Sequence, residues 1–161
     1  MQLPKLFTMQ QELDSFIEKN REQTQNVFEE KGLALLVELA ELANETRCFK
    51  FWSSRGPSER AVILEEYVDS IHFLLSLGIE KGFDSLVDWP VGKVEGNLTQ
   101  LFLKTTASIY IFLQQLTLET YEQVWVHYGA IAQELGFSRD DILSAYIAKN
   151  EENFKRQRNG Y

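Results

Sequence analysis

The sequence predicts an all-α protein, a bundle of about six helices. Two observations carry this reading. Prolines occur only at positions 4, 57 and 90, and the long stretches between them are rich in Leu, Glu, Ala and Gln. Within those stretches apolar residues recur at helical spacing, and the alternation of a half-buried strand is scarce. The 161 residues are enough for one ordinary domain, spanning 1–161, that buries most of its apolar surface. No repeat and no linker marks a second one.

The first helix is expected over Phe7–Lys19, with Leu13, Phe16 and Ile17 on one face. The second runs from about Thr24 to Phe49. Gly56-Pro57-Ser58 then breaks the chain, with Ser58 as a plausible N-cap for a third helix over Glu59–Gly78. A loop, Gly82–Asn97, follows; it is long for a bundle and is a candidate functional segment. The fourth helix covers Leu98–Gln115 and the fifth Leu118–Leu135, where Gly136 suits a C-terminal stop. Ser138 with Asp141 resembles a capping box and starts a sixth helix that reaches Arg158.

The net charge is −8, from 24 acids and 16 bases. Such a surface repels nucleic acid and anionic membrane, so neither is an expected partner. A small anionic substrate stays compatible if metal ions neutralise a local acidic site. Cys48 is the only cysteine, so no internal disulfide forms, which fits a reducing cytosol. The segment Met1–Gln11 has no apolar core of a signal peptide, and no apolar run is long enough to span a bilayer. A soluble cytoplasmic protein is expected.

On a helical wheel Leu33, Leu35, Leu36, Val37, Leu39, Ala40, Leu42 and Ala43 occupy nearly the whole circumference. A helix apolar all round is normally buried. Yet Glu38, Glu41 and Glu45 fall within about 60° of arc on that same helix. Buried together without partners, three carboxylates would repel and take up protons; a hard divalent cation among them removes the cost. The alternative is a solvated stripe. Glu45 reads either as support for the other two or as a partner of a base.

Glu66 and Asp69 repeat the i, i+3 spacing on the third helix, opposite a face of Ile63, Leu64, Tyr67, Val68, Ile71, Leu74 and Leu75. Glu65 beside them reads as solvated. Alone this is an ordinary amphipathic helix. In combination, E-x-x-E, 24 intervening residues and E-x-x-D let two antiparallel helices turn four carboxylates toward one another within a four-helix core. Such a cage suits Mg²⁺ bridging a polyphosphate. Near the end, Tyr146, Lys149, Asn153 and Arg156 share a stripe about 80° wide, able to meet phosphate and sugar. Lys155, Arg158 and Asn150 lie off it. A basic helix end that merely complements its dipole is the alternative.

The two acidic pairs resemble the metal signature of the all-α nucleoside triphosphate pyrophosphohydrolases, which include the dimeric dUTPases and MazG-type enzymes. Three further segments resemble the dimeric dUTPases: Leu6-Phe7-Thr8-Met9-Gln10-Gln11-Glu12-Leu13-Asp14; Asn44-Glu45-Thr46-Arg47-Cys48-Phe49-Lys50-Phe51-Trp52-Ser53; and Ala145-Tyr146-Ile147-Ala148-Lys149-Asn150 with Asn153, Arg156, Gln157, Gly160 and Tyr161. The resemblance spans most of the chain and is weakest between Asp84 and Glu134. The chain is a compact version, where the family often has longer insertions in its second half.

The resemblance implies hydrolysis of dUTP to dUMP and pyrophosphate by a homodimer. Glu38, Glu41, Glu66 and Asp69 would hold two or three Mg²⁺, with Mn²⁺ as a substitute, and Glu38 or Glu41 would orient or deprotonate the attacking water. Lys149 and Arg156 would stabilise developing charge. Trp52 and Phe73 stand where the family makes base contacts; Gln10, Gln11 and Asp14 match its N-terminal segment, and either glutamine could read the uracil edge. Tyr146 and Asn153 complete the nucleotide set, and His72 is a candidate hydrogen-bond partner near the metal. Catalytic-triad, P-loop and zinc signatures are absent. Other substrates (dUDP, dCTP or a damaged triphosphate) share the chemistry, and a non-enzymatic helical interaction protein is the reading from a different class.

Overall fold

The computed structural model describes residues 3–21 and 25–160. Six helices make up the described fold, and no strand occurs among these residues: α1 (Pro4–Asn20), α2 (Phe28–Thr46), α3 (Arg60–Glu80), α4 (Leu98–Gln114), α5 (Leu118–Leu135) and α6 (Arg139–Arg158). The expected bundle is present. α3 is its axis, packing on α1, α2 and α6, while α4 rests on α5 and α2. Ser70, Ile71, His72 and the run Leu74–Gly78 of α3 are all buried, so this helix is enclosed on nearly every side.

The last three helices start as their caps dictate. Asn97 with Gln100, Thr117 with Thr120, and Ser138 with Asp141 each form a reciprocal capping box. Gly136 ends α5 in the left-handed conformation at φ 73°.

The first three helices depart from expectation at their ends. α1 begins at Pro4 rather than Phe7, because proline fixes the dihedral of a first helical residue. α2 begins at Phe28, whose N–H is held by the Asn26 side chain at 3.0 Å. Thr24, the expected start, lies outside the described residues, as does Tyr161. α2 stops at Thr46 instead of Phe49: Arg47 turns left-handed at φ 57°, and its N–H closes on Ala43 and Asn44. Ser58 does not cap α3. Glu59 occupies the N-cap without a side-chain bond, and the Ser58 hydroxyl donates instead to the Glu45 carboxylate. α2 is also not buried all round, since Leu33 is 64% and Val37 47% exposed.

Two contacts lock α3 to the second half of the chain. Arg60 in its first turn donates to the carbonyls of Leu135 (3.2 Å) and Gly136 (2.9 Å) and to Asp141 (2.9 Å), with its guanidinium over the Phe137 ring. Near the other end, Tyr121 of α5 donates to the Leu74 carbonyl at 2.8 Å. The phenol passes so close to Gly78 that a Cβ there would stand 2.1 Å from its oxygen. The loop after α3 folds back, where Trp89 is buried and donates to the Trp125 carbonyl at 2.9 Å.

Among the described residues no helix is long and apolar enough to cross a membrane. Gly78→Ala should force α3 and α5 apart and lower stability by roughly 1–3 kcal/mol. Urea denaturation should show a lower midpoint at unchanged slope. A midpoint equal to the parent's would show that Tyr121 yields without cost.

Candidate metal centre and adjoining pocket

α2 and α3 lie antiparallel, and each presents carboxylates to the other. Oxygen atoms of Glu38, Glu66 and Asp69 come within 4.8 Å of one another. One oxygen each of Glu38 and Glu66 is buried with no hydrogen-bond partner among the described residues. Burial is the largest cause of the raised pKa of all three, and mutual repulsion adds to it for Glu38 and Glu66. Glu38 is pushed up to about 8, Glu66 to about 7 and Asp69 to about 6. The Lys149 ammonium, 3.3 Å from Asp69, works against the effect of burial there.

Orphaned, crowded oxygen donors of this kind fit a hard divalent cation, which would ionise them and fill the unmet bonds. Glu41 is exposed and stands outside the three-residue set, but it adjoins Glu38 and adds to the repulsion there. Glu45 pairs with the Ser58 hydroxyl rather than with a base.

Lys149 reaches the cluster from α6. It is 8% exposed and holds Glu65 at 2.8 Å, Asp69 at 3.3 Å and Glu152 at 3.6 Å. Burial alone would lower its pKa; the carboxylates outweigh it and the net shift is upward, so the side chain stays charged. Glu65, expected to be merely solvated, is therefore one of its partners. Arg156 pairs with Glu152 at 2.7 Å.

A cavity of about 350 Å³ opens beside the carboxylates. Glu38, Asp69, Lys149 and Arg156 line its charged end, Leu13, Ile17 and Phe73 its apolar wall, and Gln10, His72, Ser76 and Asn153 the rest. Seven residues singled out on α1, α3 and α6 thus meet Glu38 in one space: Gln10, Asp69, His72, Phe73, Lys149, Asn153 and Arg156.

The remaining candidates sit elsewhere. Gln11 is exposed, because one residue along α1 turns the side chain by about 100°. Asp14 stands behind Gln10, accepting from its amide at 2.8 Å and from the Ser76 hydroxyl at 2.7 Å; burial still raises its pKa. Tyr146 is fully buried, stacks on His72 with centroids 4.3 Å apart, and donates to Gln10 at 2.8 Å. Trp52 is 65% exposed in the segment between α2 and α3, edge-on to Phe49 and Phe51, and does not line the cavity.

Glu65 is exposed, as expected, and also pairs with Lys149, whereas Ser76 is a cavity residue that the sequence reading does not single out. Ser76 had a signal: Asp69, His72, Phe73 and Ser76 repeat at i, i+3, i+4, i+7, a single helical face.

A family model described as dUTPase matches residues 2–161. No curated protein matches the chain.

The raised carboxylates set a sign for stability against pH. Between the unfolded values near 4 and the folded values, the native cluster keeps protons that the unfolded chain releases, so its contribution is largest at low pH and is lost as pH rises toward about 8. In EDTA, the melting temperature of the parent should therefore fall more steeply from about pH 5 to about pH 8 than that of Glu38→Gln/Glu66→Gln. Mg²⁺ should raise the parent's melting temperature more at the higher pH. Parallel curves for the two proteins would remove the cluster as the cause.

Proposed function

This chain belongs to the dUTPase family, and from that membership we propose that it is a Mg²⁺-dependent dUTP diphosphatase, a single domain over 1–161 that acts in the cytoplasm as a homodimer. The observation that carries the proposal is the trio Glu38, Glu66 and Asp69 within 4.8 Å, with two buried oxygens lacking partners among the described residues, beside a cavity that Glu38 and Asp69 line together with Lys149 and Arg156. The substrate is a nucleotide; nucleic acid and membrane are not expected partners.

Glu38, Glu66 and Asp69, with Glu41 at the open edge, would hold two or three Mg²⁺, or Mn²⁺ in its place. A cation held there would supply charge neutralisation for triphosphate oxygens and would acidify a water. Glu41 or Glu38 orients that water or takes its proton. Water adds to phosphorus, the bridge between the α and β phosphates breaks, and dUMP, pyrophosphate and a proton leave. Lys149 and Arg156 meet charge as it builds on the phosphate oxygens; Lys149 does so by exchanging part of its carboxylate shell for phosphate.

The nucleoside lies along Leu13, Ile17 and Phe73, with Gln10, Asp14, Tyr146 and Asn153 shaping the polar side. Trp52 and Gln11, neither of which lines the cavity, would have to move toward it to meet the base. The open Leu33 and Val37 on α2 support a subunit contact on that face.

With dUTP, dUDP, dCTP, dTTP, dATP, dGTP and UTP as substrates, phosphorus products should show selective release of dUMP and pyrophosphate from dUTP in Mg²⁺ and none in EDTA. Broad cleavage would keep the chemistry and discard the uracil selectivity; no cleavage by folded protein would favour an interaction module. Glu41→Gln should lower kcat about 100- to 10,000-fold with the fold intact. Full activity in that variant would remove Glu41 from the chemistry. Trp52→Ala should raise KM more than it lowers kcat, and an unchanged KM would take Trp52 out of the pocket.

A further inference from the structure

We propose that the bare Nε2 of His72 selects the substrate by accepting a hydrogen bond from an N–H or O–H donor on its nucleoside half. The proposal rests on the reading of the pocket as a nucleotide site and adds to it the residue that tests the nucleoside.

A chain of hydrogen bonds fixes the state of the ring. The Asp14 carboxylate accepts from the Ser76 hydroxyl at 2.7 Å and from Gln10 Nε2 at 2.8 Å. That turns the Gln10 amide so that its oxygen faces inward. Gln10 Oε1 lies 2.8 Å from the Tyr146 hydroxyl, which donates to it, and 2.7 Å from His72 Nδ1. An amide oxygen has only lone pairs to offer, so Nδ1 carries the proton. A neutral imidazole has one such proton, and Nε2 is left as a lone-pair acceptor.

Among the described residues no donor meets that lone pair. Nε2 is buried without a hydrogen-bond partner, and the residue is only 5% exposed. The ring cannot turn easily to find one, because Tyr146 stacks on its face at 4.3 Å and 20°. Buried acceptors left unmet are costly, and His72 lines the cavity, so a ligand is the natural partner.

The chemistry of a nucleotide narrows the donor. Ionised phosphate oxygens only accept. A uracil N3–H and the sugar 3′-hydroxyl both donate, and both belong to the nucleoside. Gln10 cannot take this role, since both lone pairs of its oxygen are already engaged. His72 stands one turn from Asp69 and next to Phe73, between the charged end and the apolar wall.

The test compares kcat/KM for dUTP, 2′,3′-dideoxyuridine triphosphate and N3-methyl-dUTP in the parent, His72→Asn and His72→Gln. Asparagine places its amide near the Nδ1 position and keeps the Gln10 contact without an Nε2 acceptor; glutamine reaches the Nε2 position. His72→Asn should lose about 10- to 100-fold on dUTP, and His72→Gln should recover part of it. One analogue should be discriminated by the parent and no longer by His72→Asn. If that analogue is the dideoxy compound the donor is the sugar hydroxyl; if it is the N3-methyl compound the donor is the base.

An equal loss on all three substrates, or no loss, overturns the proposal. A parent that cleaves no nucleotide would sink the functional reading separately. Because His72→Asn can fail to fold, ¹⁵N NMR of the parent's His72 titrated with dUMP gives a second readout. The Nε2 resonance should begin as an unprotonated nitrogen and move upfield as it accepts the bond; no movement at saturating dUMP, or an initial Nε2–H, overturns the assignment.

Discussion

Three carboxylates within 4.8 Å of one another form the constraint that the rest of the molecule serves. Left to themselves, Glu38, Glu66 and Asp69 would separate or protonate, and their pKa values are pushed in that direction. The antiparallel contact of α2 and α3 prevents separation, because the apolar faces of both helices are buried in the common core. The energy of that burial holds an arrangement that is locally unfavourable. It leaves a place where a doubly charged ion gains more than it would at a relaxed acidic surface.

α3 carries this arrangement into the pocket. Its face Asp69, His72, Phe73, Ser76 passes in two turns from the charged cluster to the hydroxyl that supports Asp14. α1 answers with Gln10, Leu13 and Ile17, and α6 with Lys149, Asn153 and Arg156. The three helices bring different chemistry: carboxylates and imidazole from one, amide and apolar wall from another, cations from the last. Their mutual packing about α3 is what places acid, base and apolar surface within one small volume.

How much of this was legible follows from which forces are local. The last three helices begin where Asn97, Thr117 and Ser138 say they do, because capping is settled within four residues. The end of α2 was not, since Thr46 and Arg47 carry no glycine or proline to mark the left-handed turn. Ser58 had the chemistry of a cap, but Glu45 lies within reach across the turn and takes its hydroxyl. The acidic pairs were legible as i, i+3 spacing on two helices. The pairing of Lys149 with Glu65 was not, because it joins residues 84 positions apart through the α3–α6 contact. Tyr146 shares a stripe with Lys149 on the wheel, yet the wheel cannot say which end of a stripe faces the core.

Arg60 has a role beyond its contacts. It stoppers the carbonyl end of α5 and reaches Asp141 in the first turn of α6, while belonging itself to the first turn of α3. An exposed ion pair of this kind adds little stability on its own. Its two carbonyl bonds instead join the start of α3 to the end of α5, and the Asp141 contact adds the start of α6, so the three helix ends meet at one side chain. Glu66 stands six residues further along α3, so a local unfolding of the α5–α6 corner would loosen the helix that supplies a cluster carboxylate. The integrity of the carboxylate cluster is thereby tied to a corner of the fold that holds none of its three residues.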